Sequence, residues 1–342
     1  MPIVTGAETV REIYRSLSDA GKAMPAYCTE NRRTTLAILE AARRLGEDTG
    51  RLDLPVVIAF TASYPLRPQL KLYSGTGDLM QGIGFLRNDV EGLMGEGSPY
   101  ADLRVLLHLD HAQPEEDYRV VEALGDRLAS VMWDGSHYPL EENMEFTASF
   151  VREYGHQFLV EGAVDEIPEF GDEETVGYTT PQRAKEFLDE TGVDLIVPNV
   201  GTEHRTSAAG NAEYKREVAL AAKEAVGNRL VLHGSSCLKE EDFGGLGADG
   251  FVRVNMWTGL ERVGGVAVAK DVLEHLGEVL PRLDRRRYVQ EEILAESQGD
   301  LEDLGSVLNR ISETHRRDDV WIPAVTDYMV SLMKRLNYAE AF

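Results

Sequence analysis

The chain has 342 residues, 43% of them hydrophobic and 27% charged, the proportions of a globular protein with a large buried core. Its 59 acidic and 35 basic side chains give a formal charge of −24, a field that repels nucleic acid and anionic membranes, so neither is an expected partner. Two cysteines make no disulfide framework and no run approaches a membrane span or a signal peptide, so the expected location is cytoplasmic.

Residues 10–20 read as a helix and 24–28 as the first strand. Residues 34–45 carry apolar side chains at helical spacing and end at Gly46. Residues 55–61 are strand-like and 79–94 mostly helical. The remaining strands are expected at 104–109, 130–133, 157–162, 195–199, 229–233 and 250–255. Amphipathic segments at 114–125, 140–154, 181–191 and 212–226 separate them. The strands are near-continuous Val, Ile and Leu runs, as in a parallel sheet buried on both faces. Eight strands alternating with helices predict a (β/α)8 TIM barrel over residues 1–284. An open doubly wound sheet is the alternative, but no Gly-x-Gly-x-x-Gly follows the first strand. Residues 285–342 read as additional helices packed on the barrel or on a partner subunit.

A barrel gathers the C-terminal ends of its strands on one face, where active sites are built. Three such ends carry histidine: His108-Leu109-Asp110-His111, Gly201-Thr202-Glu203-His204 and Leu232-His233-Gly234-Ser235-Ser236. A catalytic zinc site usually takes three protein ligands and leaves a position open, which His111, His204 and His233 satisfy in number and placement. Any one of them alone reads better as a core or loop histidine. His108 reads as a support of the metal shell. His137, His156, His275 and His315 have no comparable placement. Asp110 either moves a proton or orients a neighbouring histidine. Thr61, Asp134, Glu161 and Asn255 are further polar strand ends, and Gly234-Ser235-Ser236 offers either a phosphate loop or turn chemistry.

Together these segments resemble the class II, zinc-dependent fructose-bisphosphate and tagatose-bisphosphate aldolase family, from Met24-Pro25-Ala26-Tyr27 to Asn255-Met256-Trp257-Thr258. The motifs around His111, His204 and His233 and the run Met132-Trp133-Asp134-Gly135-Ser136-His137 match in order and spacing. The resemblance implies a cytoplasmic aldehyde-lyase, a homodimer or higher homo-oligomer, with Zn2+ or another divalent metal on the three histidines. It implies that Asp110 is the acid/base on the aldehyde-derived hydroxyl, and that a ketose or keto-acid is cleaved to an aldehyde and an enediolate. A glutamate on the loop after the fifth strand would move the second proton, and Glu173 and Glu174 are the closest candidates. Thr61, Arg205, Gly234, Ser236, Asn255 and Thr258 fall at substrate-binding positions, with His108, Glu161 and Asp134 behind the metal.

The departures cluster where the family holds the donor phosphate and a monovalent cation. Arg205 follows His204 in place of glycine, Trp257 replaces a small or acidic residue, Ser235-Ser236-Cys237 replaces Gly-Ser-Gly, and Cys28 stands for asparagine. Arg205 could substitute for the cation and contact phosphate or carboxylate through its planar fork. With Trp257 it could instead fill the pocket for a different donor, or simply face a rim carboxylate. These changes predict a specialised sugar or secondary-metabolite substrate over housekeeping fructose 1,6-bisphosphate. The rival readings are a metal-dependent hydrolase on the same barrel and a non-catalytic binding protein.

Overall fold

In a computed structural model that describes residues 3–168, 177–205, 213–302 and 312–342, the chain is a (β/α)8 barrel with additional C-terminal helices. The strands β1 (Met24–Cys28), β2 (Pro55–Thr61), β3 (Arg104–Ala112), β4 (Leu128–Trp133), β5 (Leu159–Ala163), β6 (Leu195–Val197), β7 (Leu230–Leu232) and β8 (Phe251–Met256) close in chain order, all pairs parallel. Nearly every strand residue is buried, which is why these segments read as continuous apolar runs. Two compact units result: residues 1–258 with 329–342, and residues 259–328.

The helices of the first unit begin and end on local signals. The Asn31 side chain accepts from the N–H groups of Arg33 and Thr34 and starts α2 (Arg32–Thr49); a left-handed Gly50 ends it. Thr180 caps the N-terminus of the helix Pro181–Thr191, which has proline in its first turn. Helix α1 (Ala7–Ala20) contacts β4, β5 and β8, strands from different sides of the barrel, so it lies across the N-terminal end. The returning residues 329–342 join the same unit, where the Tyr27 hydroxyl donates to the Met329 carbonyl at 3.0 Å and Tyr338 is fully buried.

β3 differs from its expected extent in a way that matters for the site. It runs to Ala112 instead of stopping at Leu109, and its pairing with β4 slips between Leu109 and Ala112. The slip is a bulge, which re-aims side chains at a strand end. His111 sits in it with a left-handed φ of 48°, an unusual backbone for a residue with a Cβ. β6 and β7 are shorter than expected because Asn199 and His233 lie beyond the last paired residues.

The second unit is helical. The buried Arg285 side chain donates to the carbonyls of Leu280 and Leu301, and Trp321 approaches Gly264 so closely that a Cβ there would lie 2.0 Å from the indole nitrogen. No described helix is long and apolar enough to cross a membrane.

Candidate active site

The strand ends converge as a barrel requires. His111 from β3, His204 after β6 and His233 after β7 each offer a ring nitrogen, all within 4.8 Å of one another. His111 Nε2 and His233 Nδ1 lie 3.2 Å apart. Two ligands of a tetrahedral ion with bonds near 2.0–2.1 Å are separated by about 3.3 Å, so this spacing fits a metal of zinc's size. His111 Nδ1 donates to Asp134 Oδ2 at 2.6 Å, which leaves its Nε2 lone pair directed at the trio. A carboxylate behind a ligating imidazole is the usual support of a metal site. Burial alone would raise the Asp134 carboxyl, but the bonds from His111 and Ser136 hold it well below the ordinary range. Burial likewise pushes His233 down to about 3, so its ring is neutral and able to ligate.

Asp110 is 3% exposed beside this trio. Its Oδ1 accepts from Asn255 Nδ2 at 3.0 Å, and its Oδ2 lies 3.7 Å from the Cys28 thiol. Burial would raise its pKa; His111, His233 and His108 instead hold it well below the carboxylate range. The thiol moves the opposite way, well above its usual value, through burial and the adjacent Asp110 charge.

Beneath Asp110 the barrel interior is polar. Arg253, fully buried on β8, donates to Asn255 Oδ1 at 2.9 Å, to the Tyr14 hydroxyl of α1 at 3.2 Å, and to Glu161. Because the amide oxygen of Asn255 accepts from Arg253, its NH2 must face Asp110. His108 Nε2 is 3.0 Å from Glu161, and its Nδ1 is 2.9 Å from Ser130 Oγ. Burial would raise Glu161, but Arg253 and then His108 bring it down to about 2. His108, Asp110 and Glu161 also cluster closely enough to hold an ion, but Arg253 already supplies the cation there.

A cleft of ≈ 580 Å³ opens above Asp110 and the three histidines. Thr61, Arg205, Gly234, Ser236, Asn255 and Thr258 all line it, so the expected substrate residues are brought to one place. The Thr61 hydroxyl is committed to its own turn, donating to the Arg67 carbonyl and accepting from the Gln69 N–H. Ser236 Oγ and Trp257 Nε1 are buried without hydrogen-bond partners among the described residues. Gly234 has φ +66°, and a Cβ there would lie 2.8 Å from the Glu203 carbonyl oxygen, so the β6 and β7 loops can meet only at glycine. Glu173 and Glu174 lie outside the described residues.

Sequence reasoning named Cys28 and Thr61 at the ends of β1 and β2 but not the turn that follows β2. The Tyr64 ring stacks on His111 at 4.5 Å between centroids. Arg67 forks onto Glu30 and lies 5.0 Å from the Trp257 ring centroid. The run Tyr64-Pro65-Leu66-Arg67 reads as an ordinary turn, and only the fold brings it over the imidazoles. Arg253 did leave a signal, as a charged residue between two valines in a strand buried on both faces.

Comparison with known proteins gives the same direction. The family model for fructose-bisphosphate aldolase class-II matches residues 8–309. A fructose-bisphosphate aldolase of Staphylococcus epidermidis is 29% identical over 304 residues, covering 84% of this chain and 91% of the relative. One from Staphylococcus aureus is 28% identical over 320 residues, covering 90% and 98%. Among solved structures, the fructose-bisphosphate aldolase of Campylobacter jejuni superposes with a TM-score of 0.67 at 19% identity, covering 98% and 97%. The YdjI aldolase of Escherichia coli K12 gives 0.62 at 19% identity, covering 95% of each chain. With a matching family model over most of its length and three imidazoles converging at the strand ends that the motifs marked, the chain belongs to the class-II fructose-bisphosphate aldolase family.

Proposed function

We propose that this aldolase is zinc-dependent, that His111, His204 and His233 hold the ion, and that Asp110 is the acid/base for a specialised ketose or keto-acid substrate. The observation that carries the reading is Asp110 itself: a buried carboxylate, held at one oxygen by Asn255, beside three converging imidazoles. A zinc ion there supplies Lewis-acid polarisation of the donor carbonyl.

The chain's own residues do the rest. Asp110 Oδ1 is fixed by Asn255, so the carboxylate holds one orientation toward the substrate. In cleavage Asp110 takes the proton from the hydroxyl one carbon beyond the bond that breaks. The carbonyl of the new aldehyde forms as that bond's electron pair passes to the donor, leaving an enediolate. In synthesis Asp110 returns the proton to the new alkoxide. Asp134 keeps His111 in the tautomer with a free Nε2, and Tyr64 packs on the face of that ring. A glutamate of the β5 loop, Glu173 or Glu174, is the proposed partner for the enediolate proton. The altered residues Arg205 and Trp257, both on the cleft wall, support a donor other than that of housekeeping fructose 1,6-bisphosphate.

Hydrogen–deuterium exchange into dihydroxyacetone phosphate, followed by NMR without aldehyde, tests the reading. Exchange by zinc-loaded protein that stops on chelation supports enolisation of a phosphorylated three-carbon donor. Absence of exchange from protein that holds zinc rejects that donor. Repetition with dihydroxyacetone and with pyruvate then separates an altered donor from a different chemistry.

A further inference from the structure

Asp110 Oδ1 accepts from Asn255 Nδ2 at 3.0 Å, which leaves Oδ2, 3.7 Å from the Cys28 thiol, as the oxygen for a substrate proton. An asparagine side chain can be turned either way, and the other turn would set its carbonyl oxygen against the carboxylate. What selects the turn is Arg253, whose Nε donates to Asn255 Oδ1 at 2.9 Å. The two residues stand two apart on β8, so their side chains rise from the same face of the strand.

The guanidinium is itself aimed from three corners. Nε faces Asn255, Nη2 donates to Glu161 of β5, and Nη1 donates to the Tyr14 hydroxyl at 3.2 Å. Glu161 supplies the counter-charge, but one corner does not fix a plane. Tyr14 belongs to α1, across the N-terminal end of the barrel, and is 3% exposed. Its ring lies 6.0 Å from the guanidinium carbon. Burial raises the phenol above its ordinary pKa, so it keeps its proton and its oxygen accepts as a neutral group. A buried N–H that loses its acceptor carries the full cost of its desolvation, so without the Tyr14 hydroxyl the guanidinium would turn to find another.

We propose that Tyr14 and Arg253 are positioning residues for the reaction: Tyr14 fixes the guanidinium, the guanidinium fixes the amide of Asn255, and the amide holds Asp110 with Oδ2 presented to the substrate. Neither Tyr14 nor Arg253 lines the cleft, so both act only through their neighbours. The proposal rests on the reading of Asp110 as the acid/base.

Tyr14→Phe keeps the ring and removes the acceptor. Arg253→Met/Glu161→Met removes the fork together with its counter-charge and serves if the first variant does not fold. The zinc-loaded proteins are labelled for NMR in the asparagine side-chain amides, and the Asn255 signal is assigned by its loss in Asn255→Ala. Exchange of the Asn255 amide protons with solvent should quicken in Tyr14→Phe by about three- to tenfold, at most the worth of one charge-assisted hydrogen bond. Unchanged exchange in both variants overturns the proposal. Two activities separate positioning from general damage. Deuterium exchange into dihydroxyacetone phosphate without aldehyde reads donor enolisation, which in this mechanism does not use Asp110. Consumption of that donor with D-glyceraldehyde 3-phosphate or D-glyceraldehyde reads bond formation, which does. The kcat of bond formation should fall by about the same factor, with KM and donor exchange at wild-type levels. An equal fall in both activities, or bond formation at the wild-type rate despite a loosened amide, overturns the proposal. A wild type that turns over none of these compounds, while the amide responds as expected, upholds the chain of bonds and places the failure in the Asp110 reading or the choice of donor.

Discussion

Replacing Asp134 tests how the imidazole trio is held. Asp134 is 5% exposed, and its Oδ2 accepts from His111 Nδ1 at 2.6 Å, while its Oδ1 accepts from Ser136 N at 3.1 Å and Ser136 Oγ at 2.7 Å. It therefore ties the imidazole to the β4 loop and sets which ring nitrogen is unprotonated. Asp134→Asn keeps the shape but removes the charge. Charge-assisted bonds are roughly twice as strong as neutral ones, a difference of about 1–1.5 kcal/mol, or about tenfold in affinity. Asp134→Ala removes the tie and also releases Ser136, so the loss should approach the hundredfold, about 2.7 kcal/mol, at the upper end for such supporting groups. Zinc affinity is measured by competition with a chromophoric chelator at fixed pH, alongside thermal unfolding of the metal-free proteins. Wild-type zinc affinity in both variants, with the fold intact, would refute the argument that His111 binds metal through a tautomer fixed by Asp134.

Zinc should raise the melting temperature of the wild type in proportion to its occupancy, and His233→Ala should abolish that rise; a shift that survives the substitution places the ion elsewhere. Arg253→Met leaves the buried Glu161 without its cation and should cost about 3–5 kcal/mol in urea unfolding, most of it recovered in Arg253→Met/Glu161→Met. Equal stability of the single and double variants would mean that the pair does not carry the cost. At the surface, Arg43 and then Arg44 bring the Glu40 carboxyl down to about 2, below its unfolded value of 4.5. Stability from this group is thus complete above pH 4.5 and lost as pH falls toward 2. Glu40→Gln should cost at most about 1 kcal/mol at neutral pH, given solvent screening, and less at pH 3. An identical melting-temperature deficit at both pH values rules this out.

The barrel was legible because burial on both faces leaves a strong trace. The first two strands fall where the apolar runs put them, and the helices Leu140–Tyr154 and Pro181–Thr191 match their amphipathic segments. The ends of strands were harder, since hydrophobicity reports burial and not pairing. Arg229 and His233 flank a three-residue β7, whereas His111 belongs to a bulge that periodicity cannot show. The residues that motifs marked at strand ends do converge on the cleft. Tyr64 and Arg67, which line the cleft from a turn, carry no motif, because their meaning lies in partners far away in the chain. The short helix Gln69–Ser74 went unseen for a related reason, having too few residues to establish a period.

The buried side chains around the imidazoles also bear on which ion the protein can hold. Asp110, Asp134 and Glu161 are all buried there, and among the described residues the one guanidinium buried with them is Arg253. Three carboxylates set against one guanidinium leave two negative charges in a space poorly screened by water. If His111, His204 and His233 hold the ion as proposed, a divalent cation would bring this interior to electroneutrality and a univalent cation would leave it one charge short. Without the ion, neutrality can be reached only by taking up protons. Loading therefore expels protons, and acidification competes with the metal for the same vacancy in charge. On the proposed metal reading, the charge of the barrel interior would favour a divalent ion before bond lengths discriminate among divalent metals.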